Sequence, residues 1–213
     1  VSAKHNINKY ADEVHMIGCT FSDLRPDQVA CPMQKQKAYK LRYERTAFSD
    51  AGGGNSVYLD RHDVNCGDDG LNSFGLQTLR QRRKRTKIGY LYGCVEGINA
   101  GRTNKNTGSN DWGGGNTVYL DRHNVNCGNN PIARFRLVRP AGNKIRYDYS
   151  CSKANSTGKC TNKNTGWNQE SWQNIYLDRH NVKCGTNEAL TRFQLRRTGK
   201  GKFRYDYRCC KMP

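Results

Sequence analysis

One ten-residue stretch occurs three times in this chain, and the recurrence limits the fold more than any other feature. Tyr58-Leu59-Asp60-Arg61-His62-Asp63-Val64-Asn65-Cys66-Gly67 returns as Tyr119-Leu120-Asp121-Arg122-His123-Asn124-Val125-Asn126-Cys127-Gly128, then as Tyr176-Leu177-Asp178-Arg179-His180-Asn181-Val182-Lys183-Cys184-Gly185. The leading tyrosines stand 61 and 57 residues apart in a chain of 213. A period of that size describes equivalent units that bury a shared core, not unrelated domains.

A second piece recurs: Lys87-Ile88-Gly89-Tyr90-Leu91-Tyr92-Gly93-Cys94, Lys144-Ile145-Arg146-Tyr147-Asp148-Tyr149-Ser150-Cys151 and Lys202-Phe203-Arg204-Tyr205-Asp206-Tyr207-Arg208-Cys209. Lys40-Leu41-Arg42-Tyr43-Glu44 reads as an earlier, partial copy. Alternation with period two marks half-buried strands: Ile145, Tyr147, Tyr149 and Cys151 face a core, while Lys144, Arg146, Asp148 and Ser150 face outward. A third piece, Phe74-x-Leu76, Phe135-x-Leu137 and Phe193-x-Leu195, also puts two apolar residues on one strand face. The Asp-Arg-His segment reads as a strand too, with Asp121 and His123 on one side and Arg122 on the other. A polar loop, Thr103-Asn104-Lys105-Asn106-Thr107-Gly108, recurs at residues 161–166. The first repeat is expected to lack it, because Tyr43 to Tyr58 is only 15 residues while Tyr90 to Tyr119 and Tyr147 to Tyr176 are 29.

These pieces predict an all-β, disulfide-bonded fold with threefold pseudo-symmetry. Residues 37–213 are expected to form one domain, with repeats near 37–86, 87–143 and 144–201 and a closing strand at 202–213. Residues 1–36 are expected to pack on it as a strand-and-loop segment, with Ala11 to Ile17 a candidate short helix. Two closed threefold designs fit, a β-prism of three sheets and a β-trefoil. The absence of a Gln-x-Trp signature and the length of the repeat count against the trefoil. The run Cys127-Gly128…Asn130…Ile132…Phe135…Leu137, followed by a tyrosine-rich strand ending in Cys151, resembles the β-prism of vitelline-membrane outer-layer proteins. That resemblance covers about two-thirds of the chain and implies three Greek-key sheets around an axis.

Each repeat carries one cysteine after its Asp-Arg-His segment and one at the end of its tyrosine strand. Cys66–Cys94, Cys127–Cys151 and Cys184–Cys209 are therefore the expected disulfides, with Cys19–Cys31 and Cys160–Cys210 taking the remaining cysteines. Ten cysteines and only 35% hydrophobic residues suit a small-core protein of an oxidising compartment. Paired C-x2-C spacings for zinc are absent. No run is long enough to span a membrane, and a mature secreted protein whose leader has been removed fits the start at Val1. Asn155-Ser156-Thr157 is a glycosylation sequon.

Lys and Arg total 36 against 18 Asp and Glu, a formal charge of +18, which predicts salt-sensitive attraction to polyanions. Candidate contacts are Arg80, Arg82, Arg83, Lys84 and Arg85, the densest cationic run, with the outward Lys144, Arg146, Lys202, Arg204 and Arg208. The run from Arg80 to Arg85 also has the pattern of a secretory-convertase cleavage site. In the triplicated Asp60-Arg61-His62, Asp121-Arg122-His123 and Asp178-Arg179-His180 a structural lock, by an Asp–Arg pair or a bonded strand end, is favoured over a triplicated ligand site. Catalysis and metal binding are disfavoured there, since each copy brings a single histidine. Trp112, Trp167 and Trp172 fall in polar loops, where each either stacks on a sugar or plugs the fold. Gly52-Gly53-Gly54 and Gly113-Gly114-Gly115 lack the following helix of a phosphate-binding loop.

The expected function is that of a secreted, non-enzymatic, self-associating component of an extracellular or biomineral matrix, with no cofactor and with silica or acidic glycans as partners. In composition the chain is similar to silica-associated proteins of sponge skeletons. Nucleic acid is set aside because disulfide-rich chains rarely meet it, and membrane insertion because no apolar amphipathic segment is present. A multivalent lectin is the alternative, and a cationic host-defence protein the next.

Overall fold

A computed structural model describes residues 39–80 and 86–213. The described residues lie within one compact unit, Ala38–Pro213. The N-terminal segment, the helix expected near Ala11 to Ile17, the Cys19–Cys31 pairing and the stretch 81–85, with Arg82, Arg83, Lys84 and Arg85, fall outside them.

The alternating segments build three antiparallel sheets. In sheet I, β1 (Leu41–Arg45) and the short β2 (Ser49–Asp50) pair with β5 (Lys87–Val95), which pairs with β4 (Gly70–Leu79). Sheet II repeats the plan with β6 (Arg102–Asn106) and β7 (Asn110–Asp111) on β10 (Lys144–Ser152), then β9 (Ile132–Val138). Sheet III has β11 (Cys160–Asn164) and β12 (Asn168–Gln169) on β15 (Lys202–Lys211), then β14 (Glu188–Thr198).

The fourth strand of each sheet belongs to another repeat. β3 (Asp63–Asn65) joins sheet II, β8 (Asn124–Asn126) joins sheet III, and β13 (Val182–Lys183) returns to sheet I. The exchange is fixed at one β-bulge per sheet. There Asn72, Ala133 and Thr191 accept through their carbonyls from the N–H groups of Cys184, Cys66 and Cys127 at 3.0, 2.8 and 2.9 Å. Three separate sheets linked in a ring are the arrangement of the prism; a trefoil would close a barrel instead.

The three inner faces meet in one core. Phe74, Phe135 and Phe193 contact one another pairwise with ring centroids 4.8–4.9 Å apart and planes inclined by 60–62°, so the pseudo-threefold axis passes between them. Tyr90, Tyr147 and Tyr205 surround that triad, edge-on and buried. Disulfides Cys66–Cys94, Cys127–Cys151 and Cys184–Cys209 occupy equivalent places, and Cys160–Cys210 ties the edge strand β11 to β15. These are the pairings that the repeat leads one to expect.

Two expectations are corrected. Leu41–Arg45 is not a copy of the tyrosine strand. It pairs with β5 as β6 pairs with β10, so the first repeat does contain the counterpart of the Thr-Asn-Lys-Asn-Thr-Gly segment. The Tyr-Leu-Asp-Arg segment is not a strand but a 3-10 helix, over Ser56–Arg61, Thr117–Arg122 and Asn174–Arg179. Asn55 and Asn116 cap the first two by accepting the N–H of Val57 and Val118. Before each of these two helices a triple-glycine turn has positive φ throughout, and a Cβ on Gly52 or Gly113 would collide with the ring of Tyr58 or Tyr119.

Candidate functional site

The triplicated motif is a structural node. His62, His123 and His180 are each 1% exposed and end the 3-10 helices. Their Nδ1 atoms lie 3.0, 2.9 and 2.8 Å from the hydroxyls of Thr46, Thr107 and Thr165. Those same hydroxyl oxygens accept the backbone N–H of Tyr90, Tyr147 and Tyr205 at 2.9–3.0 Å. Each threonine hydroxyl thus bridges a buried imidazole and the backbone of a tyrosine strand, and Nε2 of His62 also lies 3.0 Å from the Ser49 hydroxyl. Burial, aided by the neighbouring Arg122 or Arg179, holds His123 and His180 down at about 4; His62 is lowered by burial and Arg61.

The other motif residues separate. Arg61, Arg122 and Arg179 stack on Tyr58, Tyr119 and Tyr176 at 4.1–4.2 Å, three residues back along each helix. The acidic residues diverge: Asp60 accepts from Arg139, Asp178 accepts from Thr78, and burial raises Asp121 despite Arg197, Arg122 and Arg196 nearby. The Asp–Arg pairing expected within each copy is replaced by arginine–tyrosine stacking. The group Cys184, Glu188 and Cys209 brings its ligand-type atoms close, but both sulfurs are spent in a disulfide.

What the repeats present to solvent differs from sheet to sheet. Across β5 and β4 the outward pairs are Gly93–Ser73, Leu91–Gly75 and Gly89–Gln77. At the equivalent places of sheet II stand Ser150–Arg134, Asp148–Arg136 and Arg146–Val138. In sheet III they are Arg208–Arg192, Asp206–Gln194 and Arg204–Arg196. The two central strands of sheet I therefore carry no outward cation at these places, and positive charge stands beside them at the flanking Arg45, opposite Leu91, and Lys183, opposite Ser73. There Leu91 and Tyr43 are 44% and 56% exposed, with the Tyr43 side chain against Gly93.

On sheets II and III part of the charge is internally neutralised. Arg146 pairs with Asp148 and Arg204 with Asp206, both at 2.7 Å, and Arg134 pairs with Asp63 at 2.7 Å, a bond that raises its basicity. Arg196 reaches the same Asp206 at 3.9 Å. Arg192 donates to the Asn124 side-chain oxygen, and among the described residues neither Arg192 nor Arg208 has a carboxylate within ion-pair distance. Lys144 and Lys202 are exposed at the strand starts. Arg80 is exposed beside an open depression of about 260 Å³ shared with Gln173, Ile175, Tyr176, Asp178 and Arg179.

The sequence reading singled out Arg146, Arg204 and Arg208 but missed Arg134, Arg136, Arg192 and Arg196. Arg134 and Arg136 flank Phe135, and Arg192 and Arg196 alternate with Phe193 and Leu195, a signal present in the chain. Trp112 packs partly buried against the core, whereas Trp167 and Trp172 are 39% and 55% exposed. The Arg204 guanidinium lies 4.2 Å from the centre of the Trp167 ring. Asn155 is exposed in the connection between β10 and β11. No protein-family model, curated protein or solved structure matches this chain.

Proposed function

We propose that this is a secreted, non-enzymatic matrix protein that self-associates and gathers polyanions through the arginine-bearing faces of sheets II and III. The observation that carries the reading is the arginine grid on sheet III, set on a cross-linked and ring-closed scaffold inside a chain of net charge +18. Four disulfides suit an oxidising setting. No described helix is long and apolar enough to cross a membrane. The buried histidines support a structural role for the triplicated motif, since their rings have almost no exposed surface with which to meet a substrate.

The test is co-sedimentation with silica particles, heparin beads and neutral-glycan beads at low and high salt. Retention on silica or heparin that falls steeply as salt rises is the expected result. Salt-resistant capture by a neutral glycan would replace this reading with a lectin, for which the exposed Trp167 is the specific observation. Sedimentation velocity over a range of concentrations checks self-association.

A further inference from the structure

The three sheets share one backbone plan, so differences between equivalent outward positions separate what the scaffold requires from what it does not. At one such place sheet I has Gly93 opposite Ser73, sheet II has Ser150 opposite Arg134, and sheet III has Arg208 opposite Arg192. Like charges directly opposed across antiparallel strands destabilise a sheet. In sheet II the single arginine is answered by Asp63. The second opposed pair of sheet III, Arg204 and Arg196, is bridged by Asp206. Arg208 and Arg192 have no such carboxylate among the described residues; sheet I carries neither arginine and sheet II only the counterpart of Arg192, so the fold does not need the opposed pair. Opposed guanidiniums that the scaffold neither requires nor neutralises form a socket for an anion from outside.

Neighbouring groups indicate what carries that anion. The row continues on both sides into amides, Asn162 opposite Arg208 and Asn126 opposite Arg192, both exposed. The next row sets three further amides, Asn164, Gln194 and Asn124, about the Asp206 carboxylate that Arg204 and Arg196 neutralise; Gln194 also donates to the Asp121 carbonyl and Asn124 accepts from Arg192. Neutral amides both donate and accept, which suits hydroxyl groups and does little for a bare mineral surface or a phosphate chain. Four residues along β15, roughly 13 Å by strand geometry, Arg204 supports the exposed Trp167. Repeat 1 has Phe48 and repeat 2 has Ser109 at the position of Trp167, so this indole too is particular to the third unit.

We propose that the outer face of sheet III binds a linear acidic polysaccharide. A sulfate or carboxylate sits between Arg192 and Arg208, ring hydroxyls meet the flanking amides, and a pyranose ring lies against Trp167. The proposal rests on the polyanion reading above and assigns that reading a face and a ligand class.

The experiment is calorimetric titration of the disulfide-bonded chain with a size-defined heparin oligosaccharide and with inorganic polyphosphate, at several salt concentrations. R192S/R208S installs residues that the sister sheets carry. It should weaken heparin binding about tenfold and lower the slope of log affinity against log salt by about two. K105Q/K153Q removes two exposed charges of the second unit and should cost less than about twofold if the socket is specific. W167S should weaken the oligosaccharide about tenfold at unchanged salt slope and leave polyphosphate unaffected, with W167F largely retaining affinity.

Equal losses for the two double variants would overturn the choice of face. A W167S loss shared by polyphosphate, or no loss at all, would overturn the sugar and leave a sugar-free polyanion as the ligand. A wild-type chain that binds neither probe, and no silica, would remove the polyanion reading itself. Circular dichroism and the thermal midpoint verify that each variant is folded before its affinity is read.

Discussion

At the scale of single residues, the threonine–histidine node couples stability to pH. An unfolded histidine takes up a proton near pH 6.5, whereas His123 and His180 in the fold do so only at about 4. Their folded values are depressed, so the unfolded chain binds more protons between those limits and stability falls as pH drops from 6.5 towards 4. Two such groups should remove about 4 kcal/mol between pH 7 and pH 5, a range above most carboxylate titration. Urea unfolding at the two pH values measures this, and a difference below about 1 kcal/mol would show that the rings are protonated inside the fold.

At the scale of elements, the triple-glycine turn and the 3-10 helix act as one piece. Tyr119 is clamped between the Gly113 backbone and the Arg122 guanidinium, so Gly113→Ala pushes on the ring as well as straining a positive φ. A loss of more than about 1 kcal/mol is expected on thermal or urea unfolding, against less than about 0.5 kcal/mol for a change at the exposed Lys105. The strands facing the core were legible in the sequence because Ile145, Tyr147, Tyr149 and Cys151 alternate without interruption, and the core disulfides followed from their spacing. The Asp-Arg-His segment misled because a few alternating residues suit a strand as well as a helix. The three-residue interval from Tyr119 to Arg122 was the helical signal. The first edge strand misled because Leu41-Arg42-Tyr43-Glu44 imitates Ile145-Arg146-Tyr147-Asp148. The interval from threonine to histidine, 16 residues in the first two repeats and 15 in the third, identifies it correctly. The opposed arginines could not be read at all, since their register depends on the bulge between Leu190 and Arg192.

At the scale of the whole molecule, every sheet holds a strand from another repeat, and all three phenylalanines share one contact. No repeat retains its own sheet if its neighbour melts. Calorimetry on the oxidised chain should therefore show a single transition for residues 39–213, with calorimetric and van't Hoff enthalpies in agreement. Separate transitions for the three sheets would contradict the ring. Shared burial also explains how the faces diverge: Gly93, Ser150 and Arg208 sit on equivalent strands without altering the packing beneath them.

The return of β13 to sheet I bears on how the chain is made. A ribosome releases Phe74 and its sheet early, but the strip that completes that sheet, Val182–Lys183, emerges more than a hundred residues later. Until then the first-synthesised sheet has an open margin and an uncovered aromatic face, although sheet II already has all its strands once Ser152 has emerged. A chain truncated just before Val182 should therefore yield an aggregating fragment and not a smaller working unit, and the oxidases can join Cys184 to Cys209 and Cys160 to Cys210 only after β15 has emerged.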